Sequence, residues 1–179
     1  MYQSPSAAAI RHLSQDRAIG PLIERFGLCR LTPRTDYFVV LCDSIISQQI
    51  SVKASESIFR RFREFFAGQP TPQEVAQSSI EGLKTVGIST QKAKYLLDLS
   101  TKFAKGEVAF EQFETMDNEQ IISELVKVKG IGRWTAEMFL MFALNRPNVL
   151  PVDDLGIRKA VQNLYNLGQL ASAEQIRVI

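Results

Sequence analysis

A chain of 179 residues that is 45% apolar and 22% charged can bury a substantial core as one domain, or as one domain with a small appendage. Its net charge of +2 is too mild to imply nucleic-acid binding by itself, so any such reading must rest on where the charges fall. Cys29, Cys42 and His12 are the whole Cys/His complement, short of the roughly four ligands that a zinc site or an iron–sulfur cluster needs, and a histidine triad would have to use His12 in a polar N-terminal segment. No stretch approaches the roughly 20 apolar residues of a membrane span and no signal peptide is visible, so a reduced, soluble protein of the cytosol or nucleus is expected.

Helical periodicity dominates from the N-terminus onward. After a polar start, DRAIGPLIERF (16–26) and DYFVVLCDSIIS (36–47) place apolar residues at three- and four-residue spacing, as does SVKASESIFRRFREFF (51–66). The PTP at 70–72 opens a short helix to about Ser78, with proline where a missing N–H is harmless. Residues 89–104 form another amphipathic helix, followed by the loop KGEVAFEQF, and Asp117 caps a helix running to Val126. Helices over 132–144 and 154–165 complete the set, and no strand-period segment of useful length appears. The fold class is all-α, in a single helical domain over 1–179.

Within this pattern the apolar run that begins at Ile121 is broken by Gly130-Ile131-Gly132 and then resumes to Leu144. Two glycines so close cost a helix interior roughly 1 kcal/mol each, so they mark a turn between two helices. The first glycine permits a left-handed residue, and the second lets another backbone approach the next helix N-terminus, whose amides and dipole form an anion site. Lys127, Lys129 and Arg133 surround the turn, which makes a DNA phosphate one candidate anion, while Gly-X-Gly alone is equally the mark of a plain αα-turn. The helix that follows is apolar nearly all round and is expected to be buried on most faces. Trp134, in its first turn, is either core with a satisfied indole N–H or a wall of a base pocket. Further on, Asp153-Asp154 precedes another helix, where an aspartate is both a natural N-cap and, held ionised by the dipole, suited to stabilising a developing cation.

The segments VKGIGRWTA (128–136) and PVDD (151–154) together resemble the helix–hairpin–helix DNA glycosylase superfamily, in which a glycine-rich hairpin precedes an aspartate. The Gly-Arg-Trp-Thr form with Asp-Asp downstream is similar to the 3-methyladenine DNA glycosylase II branch. IISQQISVKA (45–54) resembles the wedge segment of that branch, and LKTVGISTQKA (83–93) resembles its earlier glycine turn. The likeness runs in order from about Asp36 to Arg158, with the helix–hairpin–helix at about 118–144.

This resemblance implies a compact all-helical glycosylase fold, two helical lobes with the active site in the cleft between them. It implies Asp154 as the catalytic carboxylate, with Asp153 structural, and Trp134 and Met138 as the lining of the base pocket. Gln49, after Gln48 in the wedge, fills the gap left by the flipped nucleotide. Gly130 and Gly132, with Lys129 and Arg133, face a DNA phosphate, and the carbonyls of Val126, Val128 and Ile131 match a monovalent-cation (Na+ or K+) site. No cofactor is required, and neither zinc nor an iron–sulfur cluster is expected. Trp134 stands where members that also cleave the DNA backbone carry a lysine, and an indole cannot form a Schiff base. The implied activity is therefore monofunctional hydrolysis of the N-glycosidic bond of alkylated purines in double-stranded DNA, by a monomer, in the bacterial cytoplasm or a eukaryotic nucleus. The alternatives are a non-catalytic helix–hairpin–helix module that clamps DNA, and a glycosylase for another damaged or mismatched base. About 35 residues precede the wedge region, matching the compact members, and the chain stops at Arg177-Val178-Ile179 where members continue into a helix with a Trp-x-Pro-x-Arg pattern, so a truncated C-terminal helix is expected.

Overall fold

Each stretch with helical periodicity folds as a helix, and capping side chains set where most of the helices begin. In the computed structural model of the protein, residues 6–28 and 31–179 are described; Cys29 lies outside them. The helices are α1 (Ala7–Ser14), α2 (Ile19–Phe26), α3 (Tyr37–Ser47), α4 (Val52–Phe65), α5 (Pro72–Gln77), α6 (Ile80–Thr85), α7 (Thr90–Ala104), α8 (Asn118–Leu125), α9 (Arg133–Phe142), α10 (Leu155–Leu164) and α11 (Ala173–Val178). No strand occurs among the described residues, so the all-α expectation holds. No helix among them is long and apolar enough to cross a membrane.

The caps explain where expectation and structure differ by a few residues. The segment expected from residue 16 becomes helical only at Ile19, because the Asp16 carboxylate accepts from the N–H groups of Ala18 and Ile19, both at 2.8 Å. Thr71 and Asp117 each close a reciprocal capping box, with Glu74 and Gln120, which starts α5 and α8 at their next residues. The polar start contains α1, which has a Ser6 cap and no buried residue. Periodicity of core residues gives no sign of such a helix. The short α6 ends in a turn at Gly87, φ +96°, and α11 begins at a Ser172–Gln175 capping box.

The chain forms two compact units, one of Met1–Pro33 with Leu140–Ile179 and one of Arg34–Phe139. In the second unit α7 packs against α3, α5 and α6, and Ala93, Leu96 and Leu99 on α7 are fully buried, as are Leu41, Ile45 and Ile46 on α3. Phe139 of α9 meets Tyr37 and Phe113 edge-on, with ring centroids 5.6 and 5.8 Å apart. Such contacts hold the helix that follows the glycine turn to the start of α3. In the first unit Val152, Ala171 and Ile176 form a small core onto which Ile157 and Val161 of α10 pack. Arg158 Nε donates to the Ala171 carbonyl at 2.7 Å and fixes α10 to that core.

The two glycines of the turn are not equivalent. Gly130 has φ +85°, and a Cβ there would lie 2.2 Å from the Tyr95 ring, whereas a Cβ at Gly132 would meet nothing within 4 Å. The expectation that Gly130 supplies a left-handed residue is met. The expected close approach at Gly132 is not made by any described part of the chain. Gly130→Ala should therefore cost about 2–5 kcal/mol, from the left-handed backbone and the clash together. Gly132→Ala should cost under about 1 kcal/mol. Urea denaturation of both variants measures the difference, and equal losses would contradict this account.

Candidate functional site

The hairpin between α8 and α9 is built almost wholly from backbone. Val128 N–H donates to Leu125 O and Ile131 N–H to Val128 O, each at 3.1 Å. Val128 and Ile131 are buried and plug the turn into the core, which leaves Lys127, Lys129 and Gly132 exposed. Asp98 of α7 accepts from the Lys129 N–H at 2.9 Å and from Lys102 Nζ at 2.7 Å. Burial pushes the Asp98 carboxyl upward, but the hydrogen bonds from Lys102 and Lys129 and both their charges outweigh it, so the group is held below the usual carboxylate range. The Gly130 carbonyl accepts from Gln48 Nε2 at 2.9 Å, which ties the hairpin to the loop between α3 and α4.

Arg133, expected on a phosphate, is paired with two carboxylates in the DNA-free protein. Its Nη1 donates to Glu119 Oε2 at 2.9 Å, its Nη2 to Glu119 Oε1, and its Nε to Glu137 Oε1 at 3.0 Å. The side-chain bonds to Glu119, followed by the charges of Glu119 and Glu137, raise its pKa further. A bidentate guanidinium–carboxylate pair of this kind staples α8 to α9 across the turn. The amides at the α9 N-terminus and the exposed Lys129 and Arg133 are the candidate phosphate contacts.

The helix α9 departs from the expectation of burial on most faces. Thr135, Ala136, Glu137, Phe139 and Leu140 are buried, but Trp134 is 47% exposed and Met138, one turn later on the same face, is half-buried. Phe142, one turn further, is exposed as well. Trp134 is therefore not a core residue. The sequence pattern does not separate these faces, because the polar Thr135 and Glu137 are buried while the apolar Trp134 and Phe142 are exposed.

Gln49 lies at the tip of the loop joining α3 to α4, exposed and at φ +56°. A left-handed conformation is uncommon for a residue other than glycine, asparagine or aspartate, and it turns the chain outward between the two helices. Gln48, expected beside it in the wedge, points its amide to Gly130 instead. Sequence reasoning missed a third participant, Lys92 of α7, whose Nζ donates to the carbonyls of Ile46 and Gln48, both at 2.7 Å. Only the lysine's place in the first turn of a helix, against the dipole, hinted at a special role.

Asp154 belongs to the first unit and the hairpin and wedge to the second. It is the N-cap of α10, and its Oδ1 accepts from the Ile157 N–H at 2.9 Å. Gly156 keeps that arrangement open, since a Cβ there would lie 2.9 Å from Asp154 Oδ1. Asp153 is exposed and Asp154 half-buried, so the second aspartate is both the cap and the better sheltered carboxylate.

No group of three or more His, Cys, Asp or Glu able to hold a metal ion occurs among the described residues. Cys42 is fully buried, and burial pushes its thiol well above the ordinary value, which makes it inert. The carbonyls of Val126, Val128 and Ile131 lie in the turn itself, and that of Val128 accepts from the Ile131 N–H. Hard oxygen donors of this type fit a monovalent cation better than a transition metal.

Residues 42–178 match the profile of the HhH-GPD superfamily base excision DNA repair protein. The DNA-3-methyladenine glycosylase 1 of Schizosaccharomyces pombe is 38% identical over 152 residues, 83% of this chain and 67% of that one. A Bacillus subtilis relative, YfjP, is 33% identical over 141 residues, 74% of this chain and 49% of its own length. The structure of the S. pombe 3-methyladenine DNA glycosylase in complex with abasic DNA superposes with a TM-score of 0.82 at 33% identity, covering 94% of this chain and 85% of that one. The chain belongs to the helix–hairpin–helix base-excision repair superfamily and, within it, to the 3-methyladenine DNA glycosylase branch. It spans about half to two thirds of the length of these two relatives.

The double duty of Asp154 is testable by stability alone. Asparagine caps as well as aspartate, so Asp154→Asn should change unfolding free energy by no more than about 0.5 kcal/mol, whereas Asp154→Ala should cost about 1 kcal/mol. Equal stability of all three proteins in thermal melts would remove the capping role.

Proposed function

We propose that this chain is a monofunctional DNA glycosylase that flips alkylated purines, such as 3-methyladenine and 7-methylguanine, out of duplex DNA and hydrolyses their N-glycosidic bond, starting base excision repair. The observation that carries the reading is Trp134, a large indole standing 47% exposed directly after the hairpin, on one face with Met138. A purely clamping module has no use for such a surface, whereas an extruded aromatic base does.

Alkylation at N3 of adenine or N7 of guanine leaves the base positively charged, so it departs neutral and needs no protonation by the protein. A general acid is unnecessary, which fits a chain with one histidine. Trp134 stacks on the extruded base, where a cation against an indole face gains roughly 0.5–2 kcal/mol, and Met138 lines the same wall. Gln49 occupies the vacated stack and offsets part of the few kcal/mol that flipping costs. The hairpin amides around Gly130 and Gly132, with Lys129, hold a phosphate without reading sequence. The Asp154 carboxylate stabilises the positive charge that develops on the sugar and orients or deprotonates the attacking water. The carbonyls of Val126, Val128 and Ile131 would hold a Na+ or K+ ion, which would supply local positive charge for the phosphate. With Trp134 in place of an amine there is no Schiff base, so the reaction ends at the abasic site. The protein acts as a monomer.

Chromatography of bases released from methylated duplex DNA tests the reading directly. The unmodified protein should release methylated purines, and Asp154→Asn should bind the same DNA with no release; near-normal excision by that variant would remove Asp154 from the mechanism. Binding without any release by the unmodified protein would leave the clamp, and release of oxidised purines alone would change the specificity. Strand cleavage without added base or nuclease would refute the monofunctional assignment. Gly156→Ala, which presses on the Asp154 carboxylate, should slow release while leaving the melting temperature no lower; unchanged release would show that the carboxylate position is not critical.

A further inference from the structure

The loop that carries Gln49 has to keep an uncommon backbone conformation in water and then push a side chain into a base stack. What holds it is visible within the second unit. The last carbonyls of α3 have no partner inside their own helix. Ser47 Oγ takes that of Ser44, at 3.1 Å, and the Ile50 N–H lies 3.4 Å from that of Ser47. The carbonyls of Ile46 and Gln48 are both taken by Lys92 Nζ at 2.7 Å. Lys92 is the third residue of α7, after the Ser89 cap, where a positive charge opposes the helix dipole. It is also half-buried, and burial lowers its pKa. A cation placed against both effects is retained for what it binds: two carbonyls at the negative end of α3, on either side of Ser47 and immediately before Gln49. From the other side, Gln48 Nε2 reaches the Gly130 carbonyl at 2.9 Å. The residue before Gln49 is thus held by its backbone to α7 and by its side chain to the hairpin.

We propose that Lys92 is a positioning residue for the wedge: by binding the carbonyls of Ile46 and Gln48 it sets the left-handed turn at Gln49, and through the Gln48–Gly130 bond it keeps the wedge in register with the hairpin. Gln48 is then a brace and not a second intercalating residue. Lys92 touches neither base nor sugar. It acts through Gln49, which rests on the glycosylase reading above.

That dependence defines the experiment. Single-turnover release of 7-methylguanine from duplex DNA is compared for the unmodified protein, Lys92→Met, Gln49→Ala and the double variant, and again with the lesion in single-stranded DNA, where no stack needs filling. Loss of two charge-assisted hydrogen bonds should slow duplex excision by about tenfold to a hundredfold. In the Gln49→Ala background the same change should cost less than about twofold, because the two residues act as one unit. Single-stranded release should be nearly unaffected. Equal losses on both substrates, or losses that multiply in the double variant, would overturn the proposal. Hydrogen exchange at the Ile50 amide in the free protein gives a readout that needs no catalysis: Lys92→Met should speed it well beyond any change in the core of α7, and unchanged protection would equally overturn the proposal. If Lys92→Met does not fold, Lys92→Gln, which keeps one donor group, takes its place in both arms. Absence of base release by the unmodified protein would count against the glycosylase reading, while the exchange arm would still decide the brace.

Discussion

The left-handed residue at Gly130 is the constraint on which the second unit's functional surface depends. With the Tyr95 ring where a side chain would be and its carbonyl given to Gln48, Gly130 fixes three things together. It turns α8 into α9, it seats the turn on α7, and it reaches the loop between α3 and α4. The mouth of the hairpin, Trp134 in the next turn and the wedge tip at Gln49 inherit their places from that one backbone conformation. A side chain at Gly130 would displace all of them, whereas Gly132 faces open space and has no such hold on the fold.

The same economy appears at the ends of other helices. An α-helix leaves donors unpaired at its start and acceptors unpaired at its end, and here those groups are satisfied by side chains that have a second task. Asp98 takes the Lys129 amide and so anchors the hairpin to α7. Lys92 takes two carbonyls at the end of α3 and so shapes the wedge. Asp154 takes the Ile157 amide and so presents a carboxylate fixed in place at the start of α10. Capping and chemistry are therefore not rival explanations of Asp154. The cap removes the side-chain freedom that the catalysis proposed for Asp154 would otherwise have to freeze.

How much of this could be read from the amino-acid order depends on the range of the interaction involved. The helices α3, α4, α7, α8 and α10 were legible because a buried face repeats every three to four residues, and the Asp117 and Asp154 caps because capping reaches only three residues ahead. The left-handed glycine was legible because no other residue is cheap there. The pairing of Arg133 with Glu119 could not be read because a charge next to a hairpin looks the same whether it meets a phosphate or a carboxylate. Burial on α9 could not be read because its polar Thr135 and Glu137 are buried while the apolar Trp134 and Phe142 are exposed. Lys92 and the tether from Gln48 to Gly130 join residues far apart in the chain, and nothing local announces them.

The small net charge also takes on a meaning once the pairs are known. Lys102 is spent on Asp98, Lys127 on Glu124, Arg133 on Glu119 and Glu137, and Lys92 on carbonyls. A large share of the basic residues near the hairpin thus stabilises the turn itself and not a bound polyanion. Under the proposed function, what would meet a phosphate is mostly backbone N–H, set in direction by the turn and unable to swing away as a long side chain can. For a reaction whose leaving group already carries the charge needed to depart, the protein has no proton to deliver. Under the proposed function its contribution would be an indole, a wedge and a capped carboxylate, each held in place within its own unit. Fixed amides, a braced loop and a capped aspartate suit that task better than a strongly basic surface, which would raise affinity for any DNA without favouring the flipped state.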